Sequence, residues 1–285
     1  MAHLKFGAGT NVGLIRSNNE DSFLAEPESN LWLIADGMGG HDAGEVASKI
    51  VKDSVFDAIK GGSTLKAAIL KSHADVKHAA ENNIGSPNMG TTIVCLLCSG
   101  INYEIGWVGD SRAYLWNPLS HQLKQLSKDH SYVQALVDSG AITESEMHNH
   151  AQKNIITQSL GVSDLDKITV DSISGVWGSG QKILLCSDGL TDLVPDGEIS
   201  HIFRKYHNKT NQELVDALIQ AALDKGGVDN VTIEVVSAPE NLQELSSQPV
   251  ASIFSLMGTK SYTYMALFGA ILTITILTFW LSNRS

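Results

Sequence analysis

The stretch that decides the fold is LWLIADGMGG, residues 31–40. Residues 31–35 are apolar and have the length of a buried β-strand, and Asp36 follows them directly. Three glycines, Gly37, Gly39 and Gly40, come next, and glycine allows close backbone approaches that other residues do not. The pattern predicts a carboxylate held rigidly at the end of a strand.

Other strand-like runs also carry an acid at one end. Asp110 follows IGWVG, Asp188 follows KILLCS, and Asp229 stands just before VTIEVV, while RSNNED contributes Glu20 and Asp21. One Asp-Gly alone is ordinary turn chemistry. Several converging carboxylates need a compensating charge, because burying them uncompensated is costly. Oxygen ligands without a cysteine or histidine cluster suit Mg²⁺ or Mn²⁺ better than zinc.

Composition excludes several classes of protein. The chain has 285 residues and a net charge of −11, which argues against a nucleic-acid partner. Its three cysteines include Cys95 and Cys98, which resemble a CxxC pair but would face opposite sides of a strand. We therefore expect buried thiols. The first residues lack an apolar core, so we expect no secretory signal and a reducing, cytosolic compartment.

Three other site classes fit the motifs poorly. None of the cysteines is followed six residues later by the arginine that a cysteine phosphatase needs. A dinucleotide-binding reading of the glycine run would place Asp36 and Asp42 beside a pyrophosphate, which they would repel. The pair His41-Asp42 lacks the further histidines at helical spacing that a metal phosphodiesterase would require.

Apolar periodicity predicts a mixed chain with helices in blocks. The strands closely spaced between residues 91 and 116 are expected to pair antiparallel, and the block-like order favours α+β layers. The predicted strands cover residues 31–35, 91–98, 103–108, 113–116, 182–186 and 231–236, and the predicted helices cover 45–59, 64–80 and 211–223.

The C-terminal part differs in kind from the rest. We expect a domain over residues 1–238, a polar linker over 239–260 and a transmembrane tail anchor over 261–283. The last segment contains no charged residue and has tyrosines near one end and a tryptophan near the other, as membrane interfaces favour. Roughly 20 helical residues cover the hydrocarbon core of a bilayer. We expect a single pass, with the domain on the cytoplasmic side.

The motifs, taken in order, resemble the metal-dependent serine/threonine protein phosphatases of the PPM group, also called type 2C, in their bacterial branch. The resemblance covers nearly all of residues 7–236. It implies a central β-sandwich of two antiparallel sheets flanked by helices on both faces. The matching motifs are GLIRSNNEDSF (13–23), DGMGGHDAGEVAS (36–48), GTT (90–92), VGDSRAY (108–114), KDHS (128–131), ITQSLG (156–161), CSDGLTD (186–192) and GGVDNVT (226–232).

The resemblance implies a role for each acid. Asp36 would bridge two divalent cations, with the Gly37 carbonyl on one of them. Asp188 and Asp229 would hold the other cation. Arg16 would bind the substrate phosphate, a task that suits its planar guanidinium better than a lysine.

Further residues are implied around these ligands. Glu20 and Asp21 would lie next to the ligands and orient water. Asp110, with Asp188, would form a third, weaker metal site. Asn230 follows a ligand and would orient it.

The general acid is left open. Eukaryotic relatives have a histidine where this chain has Met38, so the leaving group would take its proton from water on the metal or from another group, with His41 a weaker candidate. His148 and His150 are expected to be solvated loop residues. For Arg112, an ion pair that orients a ligand is one of two open interpretations.

The function implied is hydrolysis of phosphoserine and phosphothreonine in proteins, by a water activated between two cations, Mg²⁺ or Mn²⁺, with a third weaker ion. The partners would be phosphorylated proteins, including a Ser/Thr kinase or its targets, and a membrane. A membrane-tethered pseudophosphatase that binds phosphoproteins without cleaving them is the alternative. The presence of Asp36, Asp188 and Asp229 argues against it.

Overall fold

The structure, a computed structural model, describes residues 4–240 and 242, apart from 40–42, 148–149, 163–167 and 241. The strands, in chain order, are β1 (Phe6–Asn11), β2 (Asp21–Glu26), β3 (Leu31–Met38), β4 (Gly90–Thr91), β5 (Ile93–Ser99), β6 (Asn102–Val108), β7 (Arg112–Asn117), β8 (Gln122–Gln125), β9 (Asp171–Val176), β10 (Lys182–Cys186) and β11 (Val231–Ser237). The helices are α1 (Ala43–Lys60), α2 (Leu65–Glu81), α3 (Tyr132–Asp138), α4 (Glu144–Met147), α5 (Asp188–Thr191), α6 (Asp196–Lys205) and α7 (Asn211–Asp224).

The strands form two sheets in which every pairing is antiparallel. One sheet has the order β1-β11-β10-β7-β8 and the other β2-β3-β5-β6-β9, with β4 paired to the end of β3. Strand side chains alternate between the two faces of a sheet, so each sheet buries residues on both sides. This arrangement confirms the predicted pair of antiparallel sheets.

Three apolar clusters hold the layers together. Residues such as Trp32 and Leu185 pack between the two sheets. On the outer face of one sheet, Leu33 packs with residues of α1 and α2. On the outer face of the other, Ile233 packs with Phe203 and other residues of α6 and α7. Helices therefore cover both faces of the sandwich, as predicted.

The predicted helices lie close to the observed ones, because their ends carry local signals. The side chain of Thr64 caps α2 by accepting the Ala67 N–H. Thr210 and Glu213 form a reciprocal capping box at the start of α7, a sequence pattern that favours a helix start at that point. Strands β1, β2, β8 and β9 and helices α3 to α6 were not predicted.

One predicted pairing is wrong. Strands β5 and β6 pair as expected, but β7 pairs with β8 and β10 in the other sheet. The chain crosses between the sheets at Gly109, whose φ is +105°, a conformation that favours glycine. A side chain there would also meet that of Thr92. The crossing segment carries Asp110 and Ser111, and the Ser111 hydroxyl lies 2.7 Å from that of Thr92.

The three cysteines are free and buried. Cys95 belongs to the cluster under α1 and α2, whereas Cys98 lies between the sheets, so the prediction of opposite faces is confirmed. Burial raises the pKa of the Cys98 thiol to about 12. Cys186 packs in the layer beneath α6 and α7.

Residues up to Leu242 form a compact unit. The predicted transmembrane segment 261–283 and nearly all of the predicted linker 239–260 lie outside the described residues, and the domain boundaries stay predictions. Within the part of the chain that the structure describes, no helix combines the length and the apolar character needed to cross a bilayer.

Candidate metal centre and phosphate site

Asp36 occupies a backbone position that is fixed from two sides. Its N–H donates to the Thr92 hydroxyl at 3.2 Å, and its carbonyl accepts the Thr92 N–H at 2.8 Å and the Thr91 hydroxyl at 2.9 Å. The N–H of Gly37 donates to the Glu20 carbonyl at 3.2 Å. The strand end and the GTT segment together hold the Asp36 carboxylate in place.

Gly37 is needed because other backbone lies against it. A Cβ at this position would overlap the Gly44 carbonyl and lie 2.6 Å from the Glu20 carbonyl oxygen. A Cβ on Gly44 would in turn lie 2.8 Å from the Glu20 carboxylate. The glycine therefore lets β3, α1 and the segment before β2 meet beside Asp36. Coordination of a metal by the Gly37 carbonyl stays a proposal.

Asp21 lies opposite Asp36 in the β2–β3 ladder. Its Oδ2 accepts the hydroxyls of Ser187 at 2.9 Å and Thr232 at 2.6 Å. Its Oδ1 is buried and has no hydrogen-bond partner among the described residues. Burial raises the pKa of Asp21 to about 6, although both hydroxyls act to lower it. Two hydroxyls thus position Asp21, and one oxygen remains available.

Asp188 and Asp110 form the neighbouring part of the site. Asp188 is the first residue of α5, directly after β10, and Asp110 lies in the crossing from β6 to β7. Burial raises the pKa of Asp110 to about 7, with Asp129 adding to the effect. Its Oδ1 is buried without a hydrogen-bond partner among the described residues. Desolvation, and then Asp110, raise the pKa of Asp188 well above its usual range.

Asp36 lies within electrostatic range of the other predicted acids. Desolvation raises its pKa well above the ordinary value, and Asp21, Asp188, Asp110 and Asp229 raise it further, in that order. The residue Asp36 is half-buried. Its carboxylate is desolvated by the protein atoms around it. Acids from four other segments of the chain thus act electrostatically on Asp36.

Arg16 contacts this cluster through Asp229. Its Nη2 donates to Asp229 Oδ2 at 2.7 Å, and its side chain is about half exposed. The hydrogen bond to Asp229 raises the pKa of Arg16. A guanidinium has five donors, and the contact with Asp229 is made through Nη2 of a side chain that is half exposed.

Asn230 ties the N-terminal loop to the start of β11. Its side-chain oxygen accepts the Glu20 N–H at 2.7 Å, and its amide donates to the carbonyls of Val12 and Asn18, both at 2.9 Å. Its own N–H donates to Asp229 Oδ1 at 2.8 Å. Asn230 therefore sets the position of the segment that carries Arg16 and Glu20 as well as that of Asp229.

The acids among the described residues repel one another electrostatically, but their side chains are not arranged as a preformed metal site. Within the described ranges, no three carboxylate, imidazole or thiol side chains stand close enough together to hold an ion. Asp229 is directed to the guanidinium of Arg16.

Arg112 does not pair with Asp110. It makes a forked ion pair with Asp129, with Nε at 3.0 Å from both carboxylate oxygens and Nη2 at 2.7 Å from one. It also donates to the Tyr114 hydroxyl, which donates to Asp196. This network borders a cavity of about 300 Å³ beside Asp188. Arg112 thus supports the cavity wall.

Of the three histidines considered from the sequence, the structure describes only one, and its surroundings do not mark it as a general acid. His41 and His148 lie outside the described residues. His150 is half-buried, accepts the Gln152 N–H at 3.1 Å and lies against the Tyr132 ring, as a loop residue would. Met38 is the last residue of β3, so no imidazole stands at that position.

Comparison with known proteins decides the family. The sequence pattern described as "Protein phosphatase 2C" matches residues 15–224. The chain belongs to the protein phosphatase 2C family. It is 36% identical over 240 residues to the serine/threonine phosphatase stp of Listeria monocytogenes, with 80% of this chain and 93% of the relative covered.

Solved structures of the phosphatase 2C type agree with the fold. Serine/threonine phosphatase Stp1 from Staphylococcus aureus superposes with a TM-score of 0.76 at 35% identity, covering 84% of this chain and 96% of the other. The catalytic domain of the serine/threonine protein phosphatase PstP, solved in complex with two manganese ions, gives a TM-score of 0.73 at 34% identity, covering 82% and 98%.

The phosphatase 2C site also depends on residues that the sequence reasoning did not single out. Thr92, Ser187 and Thr232 place hydroxyls on the backbone or carboxylate of a predicted site residue. Thr92 lies in the GTT motif, far in sequence from every predicted ligand, whereas Ser187 directly precedes Asp188 and Thr232 follows Asp229 by three residues. That adjacency was the available signal, although serine and threonine are too common for it to be specific.

The donor set fits the hard cations of a phosphatase 2C enzyme. The clustered side chains offer carboxylate oxygens, which Mg²⁺ and Mn²⁺ prefer. The buried oxygens Asp21 Oδ1 and Asp110 Oδ1 lack hydrogen-bond partners among the described residues, and a cation would also offset the mutual repulsion of the acids.

Proposed function

We propose that this chain hydrolyses phosphoserine and phosphothreonine in proteins and depends on divalent cations, Mg²⁺ or Mn²⁺, for that activity. The observation that carries the proposal is that Asp188 and Asp229 act electrostatically on Asp36 while Arg16 pairs with Asp229, in a chain of the phosphatase 2C family. The Listeria relative is named a serine/threonine phosphatase, which supports the same activity.

The chain's own residues would divide the work as follows. Asp36, Asp188 and Asp229, with the Gly37 carbonyl, would hold two cations. Arg16 would bind the phosphate by charge-assisted hydrogen bonds. The cations supply charge neutralisation of the phosphate oxygens and a lowered pKa of a bound water.

The surrounding residues position these groups. Asp21, anchored by two hydroxyls, and Glu20 would orient water beside the ligands. Asn230 would fix the position of Asp229 relative to the segment that carries Arg16. Asp110, with Asp188, would bind a third and weaker cation, which its partnerless buried oxygen favours.

The alternative is a pseudophosphatase that binds phosphoproteins without cleaving them. Loss of a metal ligand or of the phosphate-binding arginine is the expected mark of such a protein. All of these residues are present in the chain, and Asp188 and Asp229 act electrostatically on Asp36, which supports hydrolysis over binding alone.

Hydrolysis of p-nitrophenyl phosphate and of a phosphothreonine peptide tests the proposal directly. We expect turnover with Mn²⁺, none with EDTA, and a loss of at least about 100-fold for Asp36→Asn, Asp188→Asn or Asp229→Asn, since each replaces a charged ligand. Circular dichroism would show that the variants still fold. Leu119→Ser, at an exposed turn, is the matched control and should keep full activity. Undiminished activity in any of the three asparagine variants would remove the assignment.

We further propose that residues 261–283 anchor the enzyme in a membrane, with the domain of residues 1–238 in the cytoplasm. Support comes from the uncharged, apolar composition of that segment. Anchoring would raise the local concentration of membrane-bound targets, such as a Ser/Thr kinase or its substrates.

Extraction of membranes with alkaline carbonate tests the anchor. The full chain should stay in the membrane pellet, and a chain ending at Leu242 should appear in the supernatant because it lacks the apolar segment. Release of the full chain into the supernatant would contradict the proposal.

A further inference from the structure

Three large apolar side chains lie exposed beside the predicted phosphate-binding arginine. Leu14 is 64% exposed, Ile15 is 71% exposed and Val228 is 47% exposed. The first two directly precede Arg16, and the third directly precedes Asp229. Isolated exposed apolar residues are common, but a group of them beside a functional site marks a contact surface.

Backbone contacts bring together the two segments that carry these side chains. The Leu14 N–H donates to the Gly227 carbonyl at 2.7 Å, and the Leu14 side chain lies against Gly227. Gly13, with a φ of +81°, lies against the Asp229 carbonyl. The Arg16–Asp229 ion pair closes the same junction at 2.7 Å. We call Leu14, Ile15 and Val228 the apolar rim.

Resting on the proposed function, we infer that the apolar rim binds an apolar side chain of the substrate next to its phosphorylated residue. A phosphate held by Arg16 places the neighbouring substrate residues within reach of the segments 13–16 and 227–229. Burying apolar groups there is favourable because it removes them from water. The enzyme therefore prefers phosphorylated sites with apolar neighbours.

The charge around the rim favours a protein segment over a lipid surface. The rim lies next to Asp229 and the carboxylate cluster, and the chain carries a net charge of −11. Binding to an anionic lipid surface relies on clusters of basic residues, and segments 13–16 and 227–229 contain a single basic residue, Arg16. A peptide with one phosphate and apolar side chains beside it complements this surface, because Arg16 would bind the phosphate and the apolar rim would contact the apolar side chains.

Two phosphothreonine peptides that differ only beside the phosphothreonine test the inference on the full-length protein. One has leucine on both sides and the other has serine. We expect kcat/KM to favour the leucine peptide by about fivefold or more, as apolar contacts discriminate in other enzymes. The ratio should fall towards one in Ile15→Ser and in Leu14→Ser.

The controls separate this inference from the proposed function. Leu119→Ser changes an exposed leucine, 87% exposed in the turn between β7 and β8, and should keep the wild-type ratio. Hydrolysis of p-nitrophenyl phosphate by the wild-type protein tests the phosphatase function alone. If that hydrolysis is absent, the proposed function fails, and the same two peptides are compared by fluorescence anisotropy binding instead.

Two results would overturn the inference. One is a wild-type ratio of one between the leucine and serine peptides. The other is an equal loss on both peptides in Ile15→Ser, which would show that the turn only supports Arg16. A ratio that falls in the rim variants and not in Leu119→Ser would support it.

Discussion

At Gly37, one hydrogen atom in place of a side chain decides how three segments meet. The Gly44 carbonyl and the Glu20 carbonyl both occupy the space that a Cβ would need. Because both are backbone groups, a larger residue cannot be accommodated by a change of rotamer. Glycine at 37 is therefore a packing requirement beside Asp36.

We expect Gly37→Ala to lower the free energy of unfolding by roughly 1–3 kcal/mol, the usual cost of overpacking. Gly197→Ala is the matched control. It lies in α6 with open space around its Cβ and no strained φ, so it should raise stability by about 0.4–1 kcal/mol. Urea unfolding of the two variants measures both effects. A Gly37→Ala protein as stable as the wild type would contradict the packing explanation.

Single residues of the site differ in how well the sequence could reveal them. Asp36 and Asp188 follow strands and Asp229 precedes one, all within distinctive motifs, so the sequence could single them out. The ion pair of Arg112 with Asp129 was not, because the partner 17 residues away is reached only once two strands and a turn are folded. The hydrogen bonds of the Thr92 and Thr232 hydroxyls were unpredictable for the same reason, since their partners are also distant in sequence.

At the level of elements, local signals predicted helices better than sheet membership. The helix predicted at 45–59 is α1, and the one predicted at 211–223 is α7, because amphipathic periodicity and caps are local properties. The sheet to which β7 belongs is a tertiary property. A short connection favoured pairing with β6, but Gly109 redirects the chain across the sandwich.

Short or partly exposed elements left little periodicity to detect. Strand β9 is mostly exposed or half-exposed along its length, and β8 has four residues. Helices α4 and α5 each have a single turn. In such elements, contacts with neighbouring parts of the fold determine the backbone conformation, and the local sequence pattern does not.

Across the whole molecule, buried acids set the response to pH. Burial raises the pKa of Asp21 to about 6 and that of Asp110 to about 7. Glu234 shares a strand face with Val236, which packs between the sheets, and burial raises its pKa well above the usual range. At these three acids the folded chain thus binds more protons than the unfolded chain above pH 4. His73, whose pKa burial lowers, acts in the opposite sense.

We therefore expect the metal-free protein to lose stability as the pH rises from 5 to 8. Acids with raised pKa values contribute stability that is present below their unfolded pKa and lost as the pH passes the folded one. For Asp21 and Asp110 together the loss is at least about 3 kcal/mol. Urea unfolding in EDTA at each pH measures it.

Mn²⁺ provides the internal control for this pH dependence. It should reduce the loss that arises at the acid cluster, because a bound cation stabilises the ionised carboxylates. The part due to Glu234 should persist with Mn²⁺ and disappear in Glu234→Gln. Stability that is flat or rises between pH 5 and 8 in EDTA would contradict the burial of these acids.

The burial of Cys95, Cys98 and Cys186 bears on how the enzyme meets oxidative stress. Peroxides attack the thiolate form of cysteine, and in this chain all three sulfurs are shielded from solvent. Catalysis of the kind proposed uses oxygen ligands and an arginine, none of which peroxide readily oxidises. Dephosphorylation by this protein would continue during an oxidant burst that silences thiol-dependent phosphatases.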